Sequence, residues 1–114
     1  MYLYNIIKNN NKMITITQNK GFQLTFENGL TISVQIGTGN YCERRQMGGP
    51  YNSEMNEEVI TSSNAEIAIW DNNNNWLNFG SDTVKGWVPA EEIGQYIEMV
   101  RTFDPTKSLL LSII

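Results

Sequence analysis

GFQLTFENGLTISVQIGTGNYC, residues 21–42, decides the fold of this chain. Phe22, Leu24 and Phe26 alternate with Gln23, Thr25 and Glu27. Leu30, Ile32, Val34 and Ile36 alternate with Thr31, Ser33 and Gln35. A period of two in β-branched and aromatic residues specifies strands with one apolar face. Asn28-Gly29 between them is a strong hairpin signal. Parity then selects the turn. A two-residue loop at Asn28-Gly29 would set Phe26 against Thr31 and throw the two apolar sets onto opposite faces. A three-residue loop, Glu27-Asn28-Gly29, pairs Phe26 with Leu30, Leu24 with Ile32 and Phe22 with Val34. Every apolar side chain then shares one face. The pattern predicts a type I turn with Gly29 in the left-handed region, closing a G1 bulge.

Outward from this hairpin, Met13 to Thr17 alternates into a first strand, and residues 1–12 read as an N-terminal extension. Residues 37–63 hold Gly37, Gly39, Gly48, Gly49 and Pro50 but no long periodic segment, although Glu57 to Thr61 can open a strand. A connection of that length in a compact domain is usually functional or disordered. Ala65 to Asp71 and Trp76 to Gly80, joined by the asparagine run 72–75, form a second hairpin by the same parity. Ile67, Ile69, Leu77 and Phe79 face one way, and Trp70 lies beside Trp76. Asparagine suits such a turn because it tolerates positive φ. Val84 to Val88 is a further short strand.

Pro89 opens a helix, since proline at the first helical position forfeits no hydrogen bond. Glu91 and Glu92 suit the positive end of its dipole. Ile93, Tyr96, Ile97, Val100 and Phe103 fall on one helical face. Gly94 costs about 1 kcal/mol inside a helix, which predicts a close approach to the sheet there. Asp104-Pro105 ends the helix. Leu109 to Ile114 fits a final strand at a sheet edge or against a partner. The expected class is α+β, an antiparallel sheet of hairpins packed against one C-terminal α-helix. Residues 13–103 form the single domain and 104–114 an apolar tail.

Composition narrows the chemistry. The chain has 114 residues, a net charge of −4, one cysteine and no histidine. No run approaches the roughly 20 apolar residues of a spanning helix, and the start lacks the pattern of a signal peptide, so a cytosolic setting is expected. An acidic chain gains little from phosphate neutralisation, which disfavours duplex nucleic acid. Lack of histidine removes Ser-His-Asp and Cys-His catalysis and His-ligated zinc. A lone cysteine forbids an internal disulfide. No cofactor is implied, and a non-enzymatic role is expected.

The best site candidate is GTGNYCERR, residues 37–45. Gly37 and Gly39 allow close backbone approach. Asn40 and Tyr41 offer an amide and a phenol. Arg44 and Arg45 are adjacent arginines, whose planar forks suit phosphate or carboxylate. No Gly-Lys-Ser/Thr follows, so this is not a P-loop. The alternative is a strand-to-loop turn whose arginines pair with Glu43, Glu54 or Glu57. Cys42 could be activated by the arginines, but without a histidine base a buried structural thiol is the simpler reading. Glu54, Glu57 and Glu58 match no metal-binding loop spacing and read as a solvated acidic segment. Trp70, Trp76 and Trp87, with Tyr41 and Tyr51, could build a stacking platform for a base. The alternative puts the tryptophans under the helix, with Trp76 partly exposed beside its asparagine turn.

GFQLTFENGLTISVQIGTGNYC, AEIAIWDNNNNWLNFGSDTVKGW and PAEEIGQYIEMV resemble segments of small proteins encoded by bacteriophages and prophages. The resemblance covers residues 20–102 and brings no active site with it. It implies an accessory protein acting in the host cytoplasm against a component of bacterial defence. One expected form captures a small anionic ligand, such as a signalling nucleotide, with Gly37, Gly39, Asn40, Tyr41, Arg44, Arg45 and Trp76. The other binds a host defence protein directly, through the 46–63 loop or an edge strand. The apolar ends also suggest a homo-oligomer.

Overall fold

The computed structural model describes residues 12–18, 20–45 and 59–106. Its strands are β1 (Met13–Thr17), β2 (Gly21–Thr25), β3 (Thr31–Gln35), β4 (Asn64–Trp70) and β5 (Lys85–Pro89), followed by helix α1 (Ala90–Thr102). They form one antiparallel sheet in the order β1-β2-β3-β4-β5, an up-and-down meander with α1 against β3, β4 and β5. The architecture is the expected α+β arrangement. No helix among the described residues is long and apolar enough to cross a membrane. The extension before Lys12, the loop acids Glu54, Glu57 and Glu58, Tyr51 and the strand expected at Leu109 to Ile114 lie outside the described residues.

The β2–β3 hairpin has the register that parity requires. Phe22 opposes Val34 and Leu24 opposes Ile32. The Gly29 N–H donates to the Phe26 carbonyl at 2.9 Å, and the Phe26 N–H donates to Leu30 at 2.9 Å. Gly29 has φ +90°, and a Cβ there would come within 2.6 Å of the Asn72 amide. Both facts demand glycine. Ile32, Val34, Ile67, Ile69, Leu77, Val88, Val100 and Phe103 form the buried core between sheet and helix. Phe22, Leu24 and Phe26 pack at its margin.

Asn28 ties the hairpin to the helix. Its side-chain amide donates to the carbonyls of Val100 at 2.8 Å and Phe103 at 3.0 Å, while its Oδ1 accepts from the Leu30 N–H. The Val100 carbonyl, which otherwise accepts only the Phe103 N–H at 3.4 Å, and the Phe103 carbonyl just past the helix are thereby bonded from 72 and 75 residues away.

Four expectations need correction. Pro89 is not the first helical residue: its ψ of 155° is extended, it pairs with Asn64 as the end of β5, and the helix starts at Ala90. Gly94 does not mark close packing: a Cβ there would have no neighbour within 4 Å. Trp76 to Gly80 is not a ladder strand, because only Trp76 bridges, to Trp70, and the Asn74 backbone turns at φ 61°. Trp70 is not under the helix. Its register against Thr31 places it on the outer face of the sheet, away from α1.

Candidate functional site

The glycine loop after β3 docks on the outer face of β4 and β5, and an extra residue in β5 makes the seat. Ala65 pairs with Val88 and Ile67 with Lys85, so Glu66 faces two residues, Gly86 and Trp87. Such a bulge redirects side chains and breaks the ladder locally. Here it turns both Lys85 and Val88 toward the helix: Val88 is buried, and Lys85 lies 3.8 Å from Glu92. Trp87 takes φ +50°, a left-handed conformation that non-glycine residues rarely adopt. Its N–H, released from the ladder, donates to the Tyr41 carbonyl at 2.8 Å. Gly86 lies beneath Tyr41, where a Cβ would meet the Tyr41 Cβ at 2.6 Å.

Glu66 completes the seat. Its two carboxylate oxygens accept from the Asn40 side-chain amide at 3.0 Å and the Tyr41 N–H at 2.9 Å. Asn40 also accepts the Gly37 N–H through Oδ1 at 2.8 Å. Asn64, two residues earlier on β4, accepts the Glu43 N–H at 2.7 Å. The Glu43 carboxylate in turn accepts from the Ser63 hydroxyl, and that bond holds its pKa below the ordinary value. The loop is therefore fastened to the sheet through Asn40, Tyr41 and Glu43.

These contacts redistribute the predicted site. Gly37 is buried and Asn40 is occupied by Glu66 and the loop backbone, so neither presents a polar group outward. Gly39 is exposed, and neither it nor Gly37 is a left-handed glycine. Arg44 donates to the Thr61 carbonyl at 2.6 Å. Arg45 donates to the Gly39 carbonyl at 3.1 Å and lies 4.3 Å from the centre of the Tyr41 ring. Cys42 is buried, its thiol against the Gly37 carbonyl at 3.8 Å. Burial pushes its pKa up, and backbone hydrogen bonds from Arg44 and Arg45 offset this only in part. Burial and the raised pKa both disfavour its thiolate form.

What remains outside is aromatic. The Tyr41 and Trp87 rings lie 5.7 Å apart and are tilted by 38°, with Tyr41 39% and Trp87 54% exposed. Arg45 covers the Tyr41 ring. Trp76 does not join the glycine loop. It stacks on Trp70 at 4.5 Å, at the far end of β4 from Glu66, and is itself exposed. Glu66 and Trp70 are four positions apart on β4, a rise of about 13 Å along the strand. Both lie on the face opposite the helix. Asp71 organises the Trp76 end by accepting the N–H groups of Asn73 and Asn75.

Glu66 is the residue of this seat that the sequence reading did not name, whereas Trp87 was named there in a stacking platform but without its bulge. The signal for the bulge was Gly86, since glycine inside a strand pattern often marks one. No protein-family model, curated protein or solved structure matches the chain.

Proposed function

We propose that this chain is a non-enzymatic binding protein whose outer sheet face, through Tyr41, Arg45, Trp87 and Trp76, docks on another protein. One observation carries the reading: three exposed aromatic side chains share a single face along the β4–β5 margin, in two clusters anchored at Glu66 and Trp70, about 13 Å apart along β4. A small ligand needs most of its surface enclosed to bind well, and these side chains stand at the surface, Tyr41 under Arg45 and Trp76 stacked on Trp70. Protein interfaces instead concentrate their energy in tryptophan, tyrosine and arginine. Backbone strain at Trp87 supports the same reading, because strained residues cluster where a side chain must be presented. The segment resemblance to phage accessory proteins supplies the partner class, a component of bacterial defence, and makes the outcome of docking inhibition.

Small-anion capture in the glycine loop is the weaker form. Asn40 and Gly37 are engaged within the loop, and Trp76 stands at the other end of β4. Crosslinking in host lysate separates the two forms. One host protein should be retained by the wild type and by a helix-surface control, Glu91→Ala. It should be lost with Tyr41→Ala, Trp76→Ala and Trp87→Asn combined. Capture indifferent to the aromatic substitutions overturns the docking reading. A thermal shift with a nucleotide panel, abolished by Arg44→Ala with Arg45→Ala, would restore ligand capture in its place.

A further inference from the structure

The two margins of the sheet are treated differently. β5 is a protected edge: it carries the Gly86–Trp87 bulge, Lys85 and Pro89, and the glycine loop bonds to it through Trp87. Bulges, lysine and proline are the usual devices that stop an edge from pairing with another chain. β1 has none of them. Its sequence, Met13-Ile14-Thr15-Ile16-Thr17, is uncharged and regular, and it pairs with β2 alone among the described strands.

Hydrogen-bond alternation defines what this edge offers. The Phe26 N–H bonds to Leu30 and the Ile36 N–H bonds to Lys20, so even-numbered residues of β2 face β3 and odd-numbered ones face β1. Met13, Thr15 and Thr17 stand opposite Thr25, Gln23 and Gly21, and they turn their backbone groups inward. Ile14 and Ile16 therefore turn their N–H and C=O groups outward. Their side chains lie on the helix face, and each is 74% exposed. Beside Ile14 runs a hollow of about 770 Å³ lined by Leu24, Phe26 and Met13 and edged by Lys12, Glu27 and Arg101.

We propose that β1 pairs antiparallel with β1 of a second copy, centred on Thr15, to make one continuous ten-stranded sheet. This register matches the edge to itself. Ile14 meets the partner's Ile16 as a hydrogen-bonded pair, twice over, through the groups that point outward. The four isoleucines then adjoin on the helix face. Thr15 meets its own copy. Lys12 falls opposite the partner's Gln18, so no like charges meet, and Lys12 stays bridged to Glu27 at 2.9 Å. A two-fold contact of this kind closes on itself and stops at two chains.

Sedimentation velocity on the full chain tests it. The wild type should show twice the 13.0 kDa chain mass at high concentration and dissociate on dilution. Ile16→Pro removes an outward N–H without touching the β1–β2 ladder, and proline is accepted at such edge positions. Ile14→Lys with Ile16→Lys sets like charges against each other across the two-fold. Both variants should keep the wild-type circular dichroism and raise the dissociation constant at least about tenfold. If the proline variant fails to fold, the lysine pair decides. A wild type that sediments as a single chain at every concentration overturns the proposal, as does a lysine variant that dimerises normally. Trp87→Asn should remain dimeric even where it loses a docking partner. Dissociation by Trp87→Asn would place the contact elsewhere and overturn the proposal too.

Discussion

A tryptophan with φ of 50° holds about 1–2 kcal/mol that an ordinary backbone would not carry. Trp87 retains that conformation because its N–H is bonded to Tyr41 and because Glu66 leaves two residues to fit opposite one. Asparagine tolerates the left-handed region far better. Trp87→Asn should therefore leave stability unchanged or raise it by up to about 1 kcal/mol, while abolishing docking. Urea unfolding against the binding assay checks both. A substitution that improves the fold and removes the activity is the signature of a side chain kept for contact. Cys42 gives a second residue-scale prediction. Its pKa is raised by burial, so its contribution to stability is complete below the ordinary thiol pKa of about 9. That contribution is lost as pH rises from there through the folded value. At pH 8 a thiol reagent should react slowly with native protein and rapidly once denaturant unfolds it. Fast native reaction would show an accessible thiolate. Burial of Cys42 was legible, because without histidine no base was at hand. Trp87 was named as a possible stacking residue, but its bulge was not legible: strand patterning sees alternation, whereas the bulge shifts parity by one at a single place.

The elements were largely legible, for one reason each. Side-chain parity forces the three-residue turn, since any other register exposes half the hairpin's apolar set. Helical spacing assigns Ile93, Tyr96, Ile97, Val100 and Phe103 to the buried face of α1. What stayed hidden is the bond between elements. Asn28 reads locally as a turn residue, yet its amide also closes the C-terminal end of α1. Asn28→Ala should cost about 1–3 kcal/mol, because it removes the side-chain donor to the part-buried Val100 and Phe103 carbonyls as well as weakening the turn. Asn28→Gly, which favours the turn but lacks the amide, should not restore the loss; thermal melts of the two variants settle the point. Gly94 works in the other direction. It sits exposed in the helix with open space at its Cβ position. Gly94→Ala should raise stability by about 1 kcal/mol, read as a higher melting temperature. The glycine-loop residues were legible as a loop but not as a docked one, because Glu66 gives no sign in sequence that it will accept Asn40 and Tyr41.

At the level of the whole molecule, each strand lies beside its neighbour in sequence, so local patterning carries straight into topology. The meander also sends its first and last strands to opposite margins. The β1 edge, unpaired beyond β2 among the described strands, and the aromatic face at β5 lie at opposite margins. Two copies joined at β1 would carry two aromatic faces, turned relative to one another by the accumulated twist of the sheet. With strands about 4.8 Å apart, the two lie roughly 40 Å from one another. Such an assembly is a caliper, and its grip depends on the spacing of what it holds. A filament, ring or crowded array with a matching repeat would be held by both arms, at an effective concentration that one arm never reaches. On a densely coated sensor the wild type should dissociate far more slowly than Ile14→Lys with Ile16→Lys. On a sparse coating, where no two targets fall within span, the two proteins should leave at the same rate.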